Sequence, residues 1–186
     1  MRIFGIDPGA DRTGYGCVET DGSRHRFVTC GAIAASASAS FPAKLLQIHQ
    51  RLSSLLDECR PDAVAIENLF FAVNVKSALK LGHARGVAVL AAVEAGVAVV
   101  EYSPAEIKRA VVGYGRAEKP QIQQMVKLIL ELPAIPTPHD AADALAVAIC
   151  HAHTGVRSVR LQADHAGPAK AGHYRRTATS WRTYRP

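Results

Sequence analysis

Residues 1–16 read MRIFGIDPGADRTGYG. The apolar run Ile3-Phe4-Gly5-Ile6 predicts a short buried strand that delivers Asp7 to a sharp turn at Pro8-Gly9. A carboxylate ending a buried strand is costly unless it is paired or holds a metal. The glycine-rich turn lets another group come close to the backbone. Taken alone, the stretch fits two chemistries. Either the turn cradles a nucleotide phosphate, or Asp7 holds a divalent metal that cuts phosphodiesters.

Outward from this stretch, the strand Arg2–Asp7 is followed by GYGCVET and RHRFVTCGAIA. They flank Thr20-Asp21-Gly22-Ser23, which suits a hairpin turn. The low-complexity run ASASAS (35–40) leads to Pro42. Leu45, Leu46, Ile48, Leu52, Leu55 and Leu56 then recur at helical spacing as far as Cys59. PDAVAIE predicts a buried strand ending on Glu67. A long helix from about Val75 to Ala95 follows, apolar nearly all round from Val87 to Val93 and so expected to be deeply packed. Its Gly82 and Gly86 share a face and should admit a close neighbour. VAVVEYS is a strand. Ser103 is the expected N-cap of PAEIKRAVV, with Pro104 first and Glu106 completing a capping box. Helices are predicted from Pro120 and, beyond PAIPTP, from about Asp140 to His153. Leading strands followed by alternating helices and strands predict an α/β fold, a sheet with helices on both faces.

Ligands of open α/β sheets bind beyond the carboxyl ends of the strands. Were the strands ending on Asp7 and Glu67 neighbours, their ~4.8 Å spacing would bring both acids together. In HDAADALAVAI, Asp140 and Asp143 share a helix face near its start, and Ala141, Ala142 and Ala144 allow close packing. Four acids without basic partners repel, and a pair of divalent metals relieves that repulsion. Oxygen-only ligation favours Mg²⁺ or Mn²⁺, two per site. His139, beside Asp140, is a candidate nitrogen ligand or proton carrier. The nucleotide alternative resembles sugar-kinase and actin-like ATPases. Those need a second glycine-rich phosphate loop and a second similar domain, and 186 residues do not supply them.

The chain is 48% hydrophobic, enough for one core, with no apolar run near the ~20 residues of a membrane span. Its N-terminus lacks the basic-then-apolar pattern of a secretion signal, so a cytoplasmic location is expected. Cys17, Cys30, Cys59 and Cys150 form no CxxC, which argues against a zinc site or disulfide framework. Residues 1–154 hold 15 basic and 15 acidic groups, and the net charge of +6 lies entirely in residues 155–186. The expected division is therefore a folded domain over 1–154 and a basic, disordered tail over 155–186.

GIDPG…TGYG, AIENLFFAVN, SALKLGHARGVA, EYSPAEIKRAVVGYGRAEKPQIQQMV and DAADALAVAI, in this order across Met1 to His153, resemble the RuvC family of Holliday junction resolvases. The resemblance implies an RNase-H-like mixed sheet and a homodimer working with the RuvA–RuvB branch-migration complex in recombination and repair. It also implies paired symmetric nicks, in two strands of like polarity, in a four-way DNA junction. It puts the four catalytic, metal-binding acids on Asp7, Glu67, Asp140 and Asp143. Some relatives have histidine at the third position, so His139 bears on the ligand set there. Lys108 and Lys119 match lysines placed near the scissile phosphate, and Phe70 matches a base-stacking aromatic, leaving Phe71 for packing. Some relatives carry lysine where this chain has Val73.

Between Lys76 and Lys127, eight basic residues face four glutamates, so this half is locally positive. Lys76, Lys80, Arg85, Lys108, Arg116 and Lys119 are its candidate DNA contacts, supplying affinity rather than sequence choice. The dimer interface is expected along the helix from Val75 to Ala95, through Leu79, Gly82 and Gly86. The alternative functions are a module of the same fold that binds branched DNA without cutting it, and a related nuclease acting on RNA structures.

Overall fold

The computed structural model describes residues 1–68 and 74–163, with residues 155–163 entering as helical backbone. Phe70, Phe71 and Val73, and the tail beyond residue 163, lie outside the described residues. Five strands, β1 (Arg2–Asp7), β2 (Arg12–Thr20), β3 (His25–Ala34), β4 (Ala63–Glu67) and β5 (Ala98–Tyr102), form one sheet in the order β3-β2-β1-β4-β5. β1, β2 and β3 pair antiparallel, whereas β1–β4 and β4–β5 are parallel. The sheet is thus mixed, as expected. The helices are α1 (Phe41–Cys59), α2 (Val75–Glu94), α3 (Pro104–Val112), α4 (Lys119–Ile129) and α5 (His139–Ala163).

Local chemistry explains most of these boundaries. In the β2–β3 turn the Asp21 carboxylate accepts the Ser23 and Arg24 amides at 2.9 and 2.8 Å. That satisfies backbone donors where the chain reverses. Ser103 and Glu106 form the expected capping box at α3, and Gly113 ends that helix at φ 94°.

Strand alternation divides the core between the two faces of the sheet. Phe4, Ile6, Cys17, Val64 and Ile66 pack under α1 and α2, against Ile48, Leu52, Leu56 and Ala88. Ile3, Val18 and Ala65 face the opposite layer, where Leu145 and Ile149 of α5 pack with Ile107 of α3 and Val126 of α4. The same parity turns Asp7, Glu67 and Arg12 toward the α5 layer.

Helix α5 lies against the backbone of β1 and β2. A Cβ at Gly5 would collide with the Ala144 carbonyl oxygen, and one at Gly14 with that of Asp140. A Cβ at Gly16 would meet Leu145 Cγ at 2.7 Å. Glycine on the sheet and alanine on the helix set this approach together. It is the feature that brings the acids of α5 down to the strand ends.

Two expectations need correction. Helix α2 is not buried all round between Val87 and Val93, since Leu90 and Val93 are 50% and 60% exposed and only Ala84, Ala88, Ala91 and Ala92 are buried. Gly82 and Gly86 lie on its open side, with nothing among the described residues within 4 Å of a Cβ at either. The cause is placement. α2 rests on α1 at the β5 side of the sheet and keeps one long side open. Helix α5 also continues beyond His153 to Ala163.

Candidate active site

Asp7 and Glu67 end adjacent parallel strands whose register pairs Ile6 with Ile66. Both carboxylates therefore emerge side by side at one edge of the sheet and on one face. Asp143, one turn into α5, completes the group. These three acids, with Lys108 of α3 and Lys119 of α4, line a cleft of ≈360 Å³ walled by Ile107 and Ile122. Another cavity, ≈1210 Å³, is larger. It lies at the far end of β2 and β3 beside Glu19, His25, Glu131 and His153, away from the acids.

The electrostatics of the cleft are dominated by too much negative charge. The Asp7 carboxyl is pushed up to about 8, first by burial and then by Glu67, with Asp143 and Asp140 adding to it. Burial also raises Glu67, opposed by its hydrogen bond with Asp7 and by Lys119 and Lys108. Side by side and buried, the two strand-end acids resist ionising together. Lys119 Nζ donates to Asp143 Oδ2 at 3.3 Å, and that carboxylate holds the lysine above its ordinary value.

Asp140 stands at the rim, with its Oδ2 3.6 Å from Arg12 Nη1. His139 is exposed, and its Nδ1 accepts a hydrogen bond from Gln123 Nε2 at 2.9 Å. Neither residue lines the cleft. Among the remaining basic candidates, Lys76 and Arg116 are exposed. Lys80 stands over the Phe41 ring at 5.8 Å, and Arg85 is ion-paired with Glu101 of β5. Phe70 lies outside the described residues.

Sequence reading missed Arg12 and Gln123. Starting β2 at Gly14 left Arg12 in the turn. The alternation Arg12, Gly14, Gly16 along one face was the signal. Gln123 is a buried polar residue amid the apolar face of α4, and burial of that kind asks for a partner.

Among the described residues, no group of three or more His, Cys, Asp or Glu side chains is arranged to hold a metal ion. The donor set still fits a hard divalent cation. It is all oxygen, and the raised Asp7 marks a shortage of positive charge at the spot where the strand ends converge.

A family model described as crossover junction endodeoxyribonuclease RuvC matches residues 3–151. The chain belongs to the RuvC family. A RuvC crossover junction endodeoxyribonuclease of Ruminiclostridium cellulolyticum is 54% identical over 154 residues, which cover 83% of this chain and 93% of that one. One from Trichlorobacter lovleyi is 50% identical over the full length of both chains. Thermus thermophilus RuvC in complex with a Holliday junction substrate superposes with a TM-score of 0.81 at 37% identity, covering 85% of this chain and 96% of that one. A yeast mitochondrial Holliday junction resolvase shares the fold at 13% identity, with a TM-score of 0.60. The RNase-H-like expectation for the sheet holds.

Proposed function

We propose that this RuvC-family chain resolves Holliday junctions by nicking two strands of like polarity symmetrically, using divalent-metal phosphodiester hydrolysis. The observation that carries the reading is the cleft where Asp7, Glu67 and Asp143, from three separate elements, meet two lysines. A binding module without cleavage has no use for buried acids that repel one another.

In this reading Asp7, Glu67, Asp140 and Asp143 would hold two Mg²⁺ or Mn²⁺ ions. When bound, such ions generate the attacking hydroxide and stabilise the leaving oxygen. Asp7, buried beside Glu67 and the acids of α5, would be one of the carboxylates that hold them. Lys119 lines the cleft beside these acids, where the scissile phosphate would lie. There, with Lys108, it steadies charge on the phosphoryl oxygens. Phe70 stacks on an unpaired base to hold the junction open, and Lys76, Lys80, Arg85 and Arg116 contact phosphates. His139 supports the site from outside the cleft, its ring held by Gln123.

A two-fold junction calls for two active sites, which a C₂ homodimer supplies. The open side of α2, with Leu79 61% exposed beside Gly82, Gly86 and Leu90, is the proposed interface. Family membership supports RuvA–RuvB as the partner that delivers the junction. Among the described residues no helix is long and apolar enough to cross a membrane. Junction DNA as the substrate is what supports a cytoplasmic place of work.

The test is cleavage of a synthetic four-way junction in Mg²⁺ or Mn²⁺, with linear duplex as control. Symmetric nicks confined to the junction are expected. Asp7→Asn should keep junction binding by mobility shift and abolish the nicks. Tight binding by the native chain without nicks under either metal would make it a binding module instead.

A further inference from the structure

Arg12 is absent from the set of residues assigned above to DNA or metal, yet the fold aims it at the site. It opens β2 on the face that carries Gly14 and Gly16, and a Cβ at Gly14 would already touch the Asp140 backbone. A side chain two residues earlier on that face must therefore reach the start of α5. Its Nη1 stands 3.6 Å from Asp140 Oδ2, with both side chains partly open to solvent. The loop behind it is pinned, because Thr13 Oγ1 donates to the Gly9 carbonyl at 2.8 Å.

We propose that Arg12 is the resting counter-ion of Asp140, a positioning residue that keeps this carboxylate at the rim until a divalent ion displaces it. The inference rests on the divalent-metal reading above. Two observations converge on it. Asp143 lines the cleft while Asp140, on the same helix face, does not. Among the described residues, no three potential ligands are gathered as a metal cage. The acids of α5 are instead shared out between cations, Asp143 to Lys119 and Asp140 to Arg12. Arginine suits this duty because its planar guanidinium presents several donors to a carboxylate. A half-exposed ion pair is also weak. It gives the exposed Asp140 carboxylate a partner and is weak enough to yield to a dication. Filling the site then requires Asp140 to change partner, and the metal must compete with a protein cation for it.

The experiment measures Mn²⁺ binding to the full-length, metal-free chain without DNA, by the electron paramagnetic resonance signal of free Mn²⁺. Circular dichroism and a thermal melt check the fold. Arg12→Gln should bind Mn²⁺ about two- to five-fold more tightly than the native chain, the span expected for losing one exposed ion pair. Arg12→Ala should repeat the gain, and Arg12→Lys should restore near-native affinity. In an Asp140→Asn background, Arg12→Gln should change nothing. Equal or weaker binding by Arg12→Gln and Arg12→Ala overturns the proposal. So does an undiminished gain in the Asp140→Asn background, which would make Arg12 a general repulsive charge. A native chain that binds no Mn²⁺ sinks the divalent-metal reading and this inference with it, whereas native binding unaltered by the substitutions sinks this inference alone.

Discussion

In the metal-free protein Asp7 keeps its proton to about pH 8, because burial and three neighbouring carboxylates oppose its charge. In the unfolded chain the same group titrates near 3.8. Between those values the folded state holds a proton that the unfolded state has released. The stability contributed by this group is complete below about pH 4 and is lost as pH rises through about 8. Burial of Glu67 acts in the same direction. The thermal midpoint of the metal-free chain should therefore fall between pH 5 and pH 8.5. Asp7→Asn should flatten that fall and stabilise the protein at pH 8.5 by about 1–2 kcal/mol, a rise of about 2–8 °C for a chain of this size. Calorimetry in chelator at both pH values checks this. An unchanged slope in Asp7→Asn would mean that the strand-end acids are better hydrated than their burial indicates.

At the scale of elements, the site depends on how closely α5 approaches the sheet. Gly14→Ala would place a methyl against the Asp140 carbonyl and lift the start of the helix. A loss of about 1–3 kcal/mol in urea unfolding is expected. Junction cleavage should fall more than stability does, because Asp140 and Asp143 move with the helix. Gly86→Ala, into open space on α2, is the contrast. Within the chain it should gain up to about 1 kcal/mol from helix propensity, with no helix to lift. These two glycines also show what was legible in the sequence. The strand ends at Asp7 and Glu67, the capping box at Ser103 and the acid pair on α5 could all be read from local signals of period, turn and spacing. The use of each glycine could not. Gly14 and Gly86 look alike until the topology puts a helix over one and solvent over the other. The rim position of Asp140 was hidden in the same way, because it depends on β2 beginning two residues earlier and presenting Arg12.

On the scale of the whole molecule, the conspicuous unfinished surface is the open side of α2. Leu79, Gly82, Gly86, Leu90 and Val93 recur there at intervals of three and four, a stripe suited to a second copy of the same helix. Gly82→Arg should convert a dimer to a monomer in sedimentation velocity and uncouple the two nicks at a junction. A dimer that survives the substitution places the interface elsewhere. The other global feature is the order in which the acids occur along the chain. Asp7 belongs to the first strand, Glu67 to the fourth, and Asp140 and Asp143 to the last described helix. A chain still emerging from the ribosome carries the sheet acids without their partners, and Gly5, Gly14 and Gly16 form an empty track. Cutting power therefore arrives late in synthesis, when α5 settles onto that track. It is lost again only when the core itself opens, since Leu145, Ile149 and the alanines around them on α5 are almost wholly buried against that track.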